Sequence, residues 1–574
     1  MLIGSLSAFS TNYYVSQSGN DSNTGLSDAQ AWKTVNKVNG FTFTSGDSIL
    51  FKGGDVWATT YPTGGGLYSR LSPIVGNIVI GSYGVGRAEI TGWIELPNWT
   101  VSSNWTEYSS GIWRMALTNA VNRLWINGRD SYRCQTLTLT ASSPWRWESG
   151  YLYLKSSSNP SSFYKSLKSG SEQDRVVSIN VPHVTLTNLT ISGGNTCIFL
   201  VDADYAEIKN CIIGNRVNFS GIKAWSQITG DSITNVLVHD NLFITGDSLT
   251  YSYAKDPHTT EDACIFGNGV VNSKAYNNRM DGWSHSSLYF NALDTNYPFN
   301  DNEFYGNFIT NTYSDYARAI NCDTHSGSYG NLIHDNTAYD MSVGNQLNSN
   351  GLKFYNNIID GIRAVPYTTL VGYGISISGY TSNATNMEIY SNTIKNCIDY
   401  GIKIDWYTAQ TYQKSYNNIH DNNVYNNGIQ LYVKPSGTSI NHNTFSNNHF
   451  YSTITTDVSY YGGNYLTASE FNSATPQYND IISTNDSLLK VGALTSNTSN
   501  DIYVIHNPTG TALILFNPYP SKDLAGIQYL SSVTLQPYTS KVLIKSLINP
   551  SGNKRSLTID NKPQKMPNGI ILSL

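Results

Sequence analysis

A chain of 574 residues is long enough for several domains, and 13% charged residues with a net charge of −5 leave no basic footprint for nucleic acid. No stretch approaches the roughly 18 apolar residues of a membrane span, and the six cysteines show neither a Cys-x-x-Cys motif nor paired spacing, so buried free thiols are expected and no zinc site. The surplus is aromatic, 12% of residues, with 41 Tyr and 12 Trp. Packing along a sheet accounts for most of these rings, while Tyr and Trp beside Asn, Asp, Ser and Gly also suit a surface for sugar rings and hydroxyls.

The first ten residues, MLIGSLSAFS, read as the tail of an export signal, a short apolar run before Ala8-Phe9-Ser10, with the mature chain starting near Thr11. That reading places the protein in the periplasm, on the cell surface or outside a bacterium. Residues 11–97 form an N-terminal cap and the first turns of the fold. Within them a strand, a Gly/Asn/Ser cluster, a short amphipathic helix around Ala31 to Val38 and a strand from Ser48 to Phe51 follow in order. Residues 98–175 break the pattern with alternating segments and several Trp, an inserted β-rich subdomain. Trp145 and Trp147 are its candidates for a wall of a substrate cleft.

From 176 to 455 a repeat takes over. An apolar pair, an Asn and another apolar pair recur with the Asn at 241, 278, 307, 336, 357, 392, 422 and 443, and Leu189 and Cys211 stand at the same place upstream. The intervals run from 21 to 37 residues. Units this short, rich in β-branched and aromatic residues, exclude paired helices, and three short strands with tight turns fit the shortest interval. The pattern predicts a parallel β-solenoid in which stacked Asn side chains bond to one another, strands of neighbouring coils lying about 4.8 Å apart. Residues 456–500 read as a linker, 501–548 as a small antiparallel β-sandwich and 549–574 as a tail without a core.

The opening segment, the SYG turn at Ser82 to Gly84 and the Asn ladder together resemble the pectin-lyase-like right-handed parallel β-helix superfamily, over roughly residues 12–455. That resemblance implies an all-β solenoid and a secreted bacterial enzyme acting on polysaccharides. It leaves the activity open, because the superfamily holds glycoside hydrolases, lyases and epimerases.

The strand before each ladder strand alternates in and out and presents one row of outward residues per coil, and the longest coils would wall a groove beside it. Acids, histidines and an arginine gather there: His258, Glu261, Asp262, His285, Arg318, Asp323 and His325, with Tyr289 on the same strands and Lys403 and Asp405 further along. Asp262 or Glu261 and Asp323 are the expected catalytic carboxyls, about 10 Å apart at the backbone if their strands are two coils apart. That separation suits an inverting glycosidase with its two carboxyls about 6.5–9.5 Å apart. His285 joins them as a catalytic residue, and Arg318, His258, His325, Tyr289, Lys403 and Asp405 are expected to bind the substrate. The rival is β-elimination on a uronate polymer, with His285, Arg318 or Lys403 as base and the acids as a calcium site. No calcium-loop spacing is present, so no metal or other cofactor is expected for hydrolysis. A third class is a glycan-binding solenoid without catalysis.

Overall fold

The computed structural model describes residues 10–58, 70–92, 94–118, 121, 123–127, 129–131, 134, 136–170, 175–214, 219–244, 262–310, 317–363, 372–378, 382–405, 412–434, 440–446 and 448–451. Beyond these it describes only 459–461, 464–466, 481–482 and six strands between 502 and 545. His258, Glu261, residues 1–9 of the expected export signal, most of the expected linker and the tail lie outside the described residues.

Each coil has three short strands. Asp262–Gly267, Lys274–Tyr276 and Arg279–Asp281 make one, and Ser286–Ala292, Glu303–Tyr305 and Phe308–Thr310 the next. Corresponding strands pair in parallel, coil upon coil, into sheets of 14, 12 and 12 strands. Below, the first sheet contains Lys274–Tyr276, the second Arg279–Asp281 and the third Asp262–Gly267. The protein is a right-handed parallel β-helix.

The middle residue of each three-residue strand in the first sheet points inward, and Val238, Ala275, Phe304, Ile333, Phe354, Ile389 and Ile419 are all fully buried. Burying a side chain the size of Ile or Phe contributes about 1.5–3 kcal/mol. Phe266, Phe290, Phe299 and Phe304 fill the centre, with Phe290 and Phe304 centroids 4.0 Å apart.

The Asn ladder runs through Asn241, Asn278, Asn307, Asn336, Asn357 and Asn392 to Asn422, each linked to the next by a side-chain hydrogen bond of 2.9–3.1 Å. From Asn278 on, Oδ1 accepts from the backbone N–H and the Nδ2 of the preceding rung, and Nδ2 also donates to a carbonyl of the preceding coil, as Asn307 does to Ala275. The residue before each rung has a left-handed backbone, such as Asp240, Asn277, Asp335 and Asn356 at φ 53 to 55°. Asn and Asp tolerate that region best after Gly. One expected rung is corrected: after Asn422 the ladder continues to Asn448, while Asn443 bonds to Asn417 in a second ladder at a different corner. The mistaken step arises because the 21-residue interval to Asn443 matched the shortest coil, whereas this coil takes 26 residues.

Outside the first sheet, rings of successive coils lie face to face: His239, Tyr276, Tyr305, His334, Tyr355, Tyr390 and His420, at centroid spacings of 4.6–5.3 Å. Much of the aromatic surplus is this packing. Burial alone would lower the His334 pKa, but hydrogen bonds to Asp335 and Glu303 outweigh it and hold the imidazole above its ordinary value.

The cap differs from the expected helix. A single 3-10 turn at Asp28–Gln30 precedes a helix confined to Val35–Asn39, started by Thr34, whose side chain accepts from the Lys37 N–H. Trp32, Val35 and Val38 are buried over the open end of the solenoid, and the Trp32 ring stacks on Tyr13 at 5.0 Å. The inserted unit runs from Ile94 to Gly170, somewhat earlier than the expected 98–175, and forms two four-stranded antiparallel-paired sheets with a core of their own around Trp99, Trp105, Trp145 and Leu152. Near the C-terminus, Ile502–His506, Ser540–Lys545, Ser521–Asp523 and Gln528–Tyr529 form one antiparallel sheet, and Leu513–Phe516 with Ser532–Leu535 another.

Two stability measurements test this account. Asn307→Leu strands a backbone N–H, a carbonyl and two carboxamide groups; at about 1–3 kcal/mol for each buried unpaired group, urea unfolding should show a loss of roughly 3 kcal/mol or more. For His334, a folded-state pKa raised above the unfolded value means its stabilisation is fully present below the unfolded pKa near 6.5 and fades as pH rises through the folded one. The urea midpoint should fall across that interval in the wild type and less so in His334→Phe.

Candidate active site

The third sheet carries the candidate residues on its outward face. Its pairing sets Arg175, Thr196, Ser220, Asp262, Ser286 and Arg318 in one row and Ser178, Phe199, Lys223, Ile265, Tyr289, Asn321 and Gln346 in another. A third row holds Gly267, Asn291, Asp323 and Asn348. Residues between these rows, Leu288, Phe290, Ile320 and Cys322 among them, point into the core.

Asp262, only 2% exposed, sits at the start of its strand with its carboxyl 2.7 Å from Nδ1 of His285, one coil further on. His285 Nε2 has no hydrogen-bond partner among the described residues, so the carboxylate fixes the ring and leaves the second nitrogen available. The ring packs edge-on against Tyr289 at 5.7 Å, and the Tyr289 hydroxyl donates to Asp323 at 2.8 Å. Burial first, and then the neighbouring Asp323, push the Tyr289 hydroxyl far above its ordinary pKa, which keeps it protonated as a donor. Asp323 also accepts from Asn321 Nδ2 at 3.2 Å and Asn348 Nδ2 at 2.7 Å, and Asn348 in turn accepts from Ser378. Asn321 Oδ1 is buried beside Asp323 with no hydrogen-bond partner among the described residues. An orphan acceptor on a functional face is the kind of group a ligand hydroxyl satisfies.

The register changes one expectation. Asp262 and Asp323 are two coils apart, as expected, but Asp323 aligns with Gly267, five residues along the strand from Asp262. Their backbones are therefore about 19 Å apart, at about 4.8 Å per strand and 3.3 Å per residue. They cannot themselves be a carboxyl pair at glycosidase spacing. They anchor two ends of a connected group: Asp262 with His285, and Asp323 with Tyr289, Asn321 and Asn348.

Arg318 lies one coil beyond His285, opposite Ser286, and its Nε donates to Gln346 at 2.8 Å. Lys403 and Asp405 form an ion pair of 2.9 Å three strands beyond Asn321, about 14 Å along the same face. His325 is in a turn, where its Nδ1 accepts from the Gly327 N–H and its Nε2 meets the Tyr297 carbonyl. Both ring nitrogens thus serve the turn. Trp145 is 1% exposed, with Nε1 donating to the Ser131 carbonyl, and Trp147 packs against the same separate core with Nε1 on the Leu117 carbonyl. Trp145 is therefore corrected from cleft wall to core, because its ring has no free face. Among the described residues no group of three or more His, Cys, Asp or Glu is placed to hold a metal ion.

Sequence reading passed over Arg70, Arg175 and Lys223. Lys223 lies 4.3 Å from the Trp225 ring and Arg175 3.6 Å from the Phe199 ring. Burial pushes the Lys223 pKa down, Arg175 adds to the effect, and Asp262 opposes it. Burial and then Arg70 lower that of Arg175. Among the described residues none of these three cations is in an ion pair. The signal was available in Lys223, which has the same outward phase in SGIKAW as Tyr289 in SSLYFN.

No family model matches the sequence, and no curated protein sequence matches it. Solved structures do match. A structure of XylC with xylose has a TM-score of 0.42 at 12% identity, over 77% of this chain and 76% of that one. The lacto-N-biosidase of glycoside hydrolase family 136 from Eubacterium ramulus has a TM-score of 0.35 at 13% identity, over 83% and 67%. Pectate lyase Pel9A has a TM-score of 0.35 at 11% identity, over 83% and 89%.

Removing the Tyr289 hydroxyl tests the connected group without altering its packing. Tyr289→Phe should lose about 1–2 kcal/mol of stability in urea, the cost of leaving a buried acceptor short of one donor.

Proposed function

We propose that this protein is a carbohydrate-active enzyme that cleaves glycosidic bonds in a glycan lying across the outward face of the third sheet. The observation that carries this reading is the buried Asp262 holding His285 by Nδ1, with Nε2 left available beside the polar set of Tyr289, Asn321 and Asp323. A carboxylate behind an imidazole is an arrangement for moving a proton at the other ring nitrogen. In hydrolysis, His285 takes a proton from water as the water oxygen bonds to the anomeric carbon. The glycosidic oxygen leaves with a proton, and Glu261, the residue before Asp262, is the candidate acid. Asp323, Asn321 and Tyr289 position sugar hydroxyls, and Arg318 is a further donor on that face. Export from a bacterial cell, expected from the opening residues, belongs to the same proposal.

A second reading, elimination on a uronate-containing polymer, is favoured by one observation: Arg175 and Lys223 at the upstream end of the same sheet, and Arg70 beside it, are in no ion pair among the described residues. They would take the sugar carboxylate. His285 would remove the proton from the carbon beside that carboxylate, that electron pair would become a double bond in the ring, and the glycosidic oxygen on the next carbon would leave as a hydroxyl, taking a proton from water.

Product analysis separates the two. Hydrolysis yields new reducing ends without ultraviolet absorbance, and elimination yields an absorbing unsaturated sugar. On either reading His285→Ala should lower kcat/KM by about 10²–10⁴-fold, the usual contribution of a general acid or base, and His285→Asn, whose amide can still donate to the buried Asp262, is the control for folding. Unaltered turnover in His285→Ala would overturn the proposal. Lys223→Met separates the readings again: it should raise KM for a uronate polymer in the second and leave a neutral polymer unaffected in the first.

A further inference from the structure

Far from His285, the corner where the third sheet turns into the first carries a row of side chains on left-handed backbone. Hydrogen bonds between consecutive coils order this row as Asn77, His183, Tyr205, Asn235, Asn272 and Asp301. Strand register continues it through Gly330, Gly351 and Asn386 to Tyr416 and His442. Asn, Asp and Gly are the residues that this backbone favours. Two tyrosines depart from that rule, Tyr205 at φ 57° and Tyr416 at φ 59°. Each stacks on a histidine in the adjacent coil, Tyr205 on His183 at 4.6 Å and Tyr416 on His442 at 4.8 Å.

The two pairs are arranged as bookends. His183 precedes Tyr205 and His442 follows Tyr416, so each histidine covers the outer face of its tyrosine. The inner faces look along the row toward one another, over positions occupied by Asn, Asp or Gly. Seven coil steps separate them, about 34 Å at about 4.8 Å per step. Tyr329, beside Gly330, projects between them. Tyr205, Tyr329 and Tyr416 are 51%, 60% and 58% exposed, more than any other tyrosine among the described residues. A depression of about 480 Å³ opens against Tyr205, lined by Asn235, Asn272 and Thr185 and also by His183, Glu207 and Lys274.

We propose that this corner is a second, non-catalytic binding track for a glycan chain. The inner faces of Tyr205 and Tyr416 look along the row, so a chain that crosses the corner lays the apolar side of a pyranose ring flat on them, and the intervening carboxamides offer donors and acceptors to hydroxyls. The only acid in the row is Asp301, and the two charged residues that line the depression, Glu207 and Lys274, are ion-paired with Lys209 and Glu303, so the site takes sugars mainly through ring faces and hydroxyls. That the ligand is a glycan rests on the function proposed above. A track on a different corner from the third-sheet face would hold a polymer while the reaction proceeds elsewhere.

The test uses the full chain with Tyr205, Tyr329 and Tyr416 all changed to Ala, and retardation in gels containing soluble xylan, a β-glucan or polygalacturonate. The wild type should be retarded by at least one polymer and the triple variant at least tenfold less. His285→Ala should bind like the wild type, which separates the track from the reaction. Where a polymer is also cleaved, the triple variant should lose several-fold in rate on the polymer and keep its rate on a short oligosaccharide. An unchanged melting temperature excludes misfolding, and a Tyr→Phe triple variant should retain binding because the ring faces remain. Equal retardation of wild type and triple Ala variant, or no retardation of the wild type by any of the polymers, overturns the proposal. Loss of binding by the triple variant together with an active-as-wild-type His285→Ala would instead leave the track standing and sink the catalytic reading.

Discussion

The structure depends on one constraint, the fixed register between consecutive coils. Parallel pairing sets strands about 4.8 Å apart, but pairing alone permits slippage, and a shift by one residue would turn every outward side chain inward. The buried carboxamide ladder removes that freedom. Each rung from Asn278 to Asn392 is bonded on both sides through groups that no apolar residue can replace, and each follows a left-handed residue that fixes the corner. Tyr289 and Asn321 face outward because Leu288, Phe290, Ile320 and Cys322 are committed to the core on either side.

Electrostatics distinguishes the faces that this register creates. On the first sheet, opposite charges neutralise one another within or between coils, as in Lys209 with Glu207, Lys274 with Glu303 and Lys353 with Glu388. Such exposed pairs add little stability, about 0–1 kcal/mol each, but they leave that face without net character. The third sheet is different. There a buried carboxylate is spent on an imidazole, an Asp collects three donors, and Arg175 and Lys223 lie beside aromatic rings with no ion pair among the described residues. Charge left unneutralised in a chain with few charges costs stability and therefore points to a ligand.

The fold was legible because its strongest signal is local. The Asn frame, the β-branched alternation and the short intervals each describe one coil, and repetition multiplies the evidence. The Asn443 rung failed for the same reason: interval length cannot distinguish two Asn-bearing corners of one coil. The site was only half legible. Its strands could be recognised, and adjacent coils brought Asp262 to His285 as expected, but the offset of Asp323 along its strand depends on loop lengths that sequence spacing does not reveal. Lys223 and Asn321 went unnoticed because single polar residues in outward phase look like any solvated face, and Trp145 drew notice because a buried Trp and a sugar-stacking Trp read alike.

The place where the inserted unit joins the solenoid says something about how such a chain can change. Ile78 pairs directly with Val184, and Ala88 with Leu189, so strands on either side of the insertion are neighbours in the first and second sheets. The chain leaves the stack after Thr91 and rejoins it one coil later, having built a separate core in between. Closing a longer loop costs only slightly more than closing a shorter one, about 0.6 kcal/mol per doubling of length. A coil boundary is therefore a docking port: whole modules can be exchanged there without disturbing a single rung of the ladder.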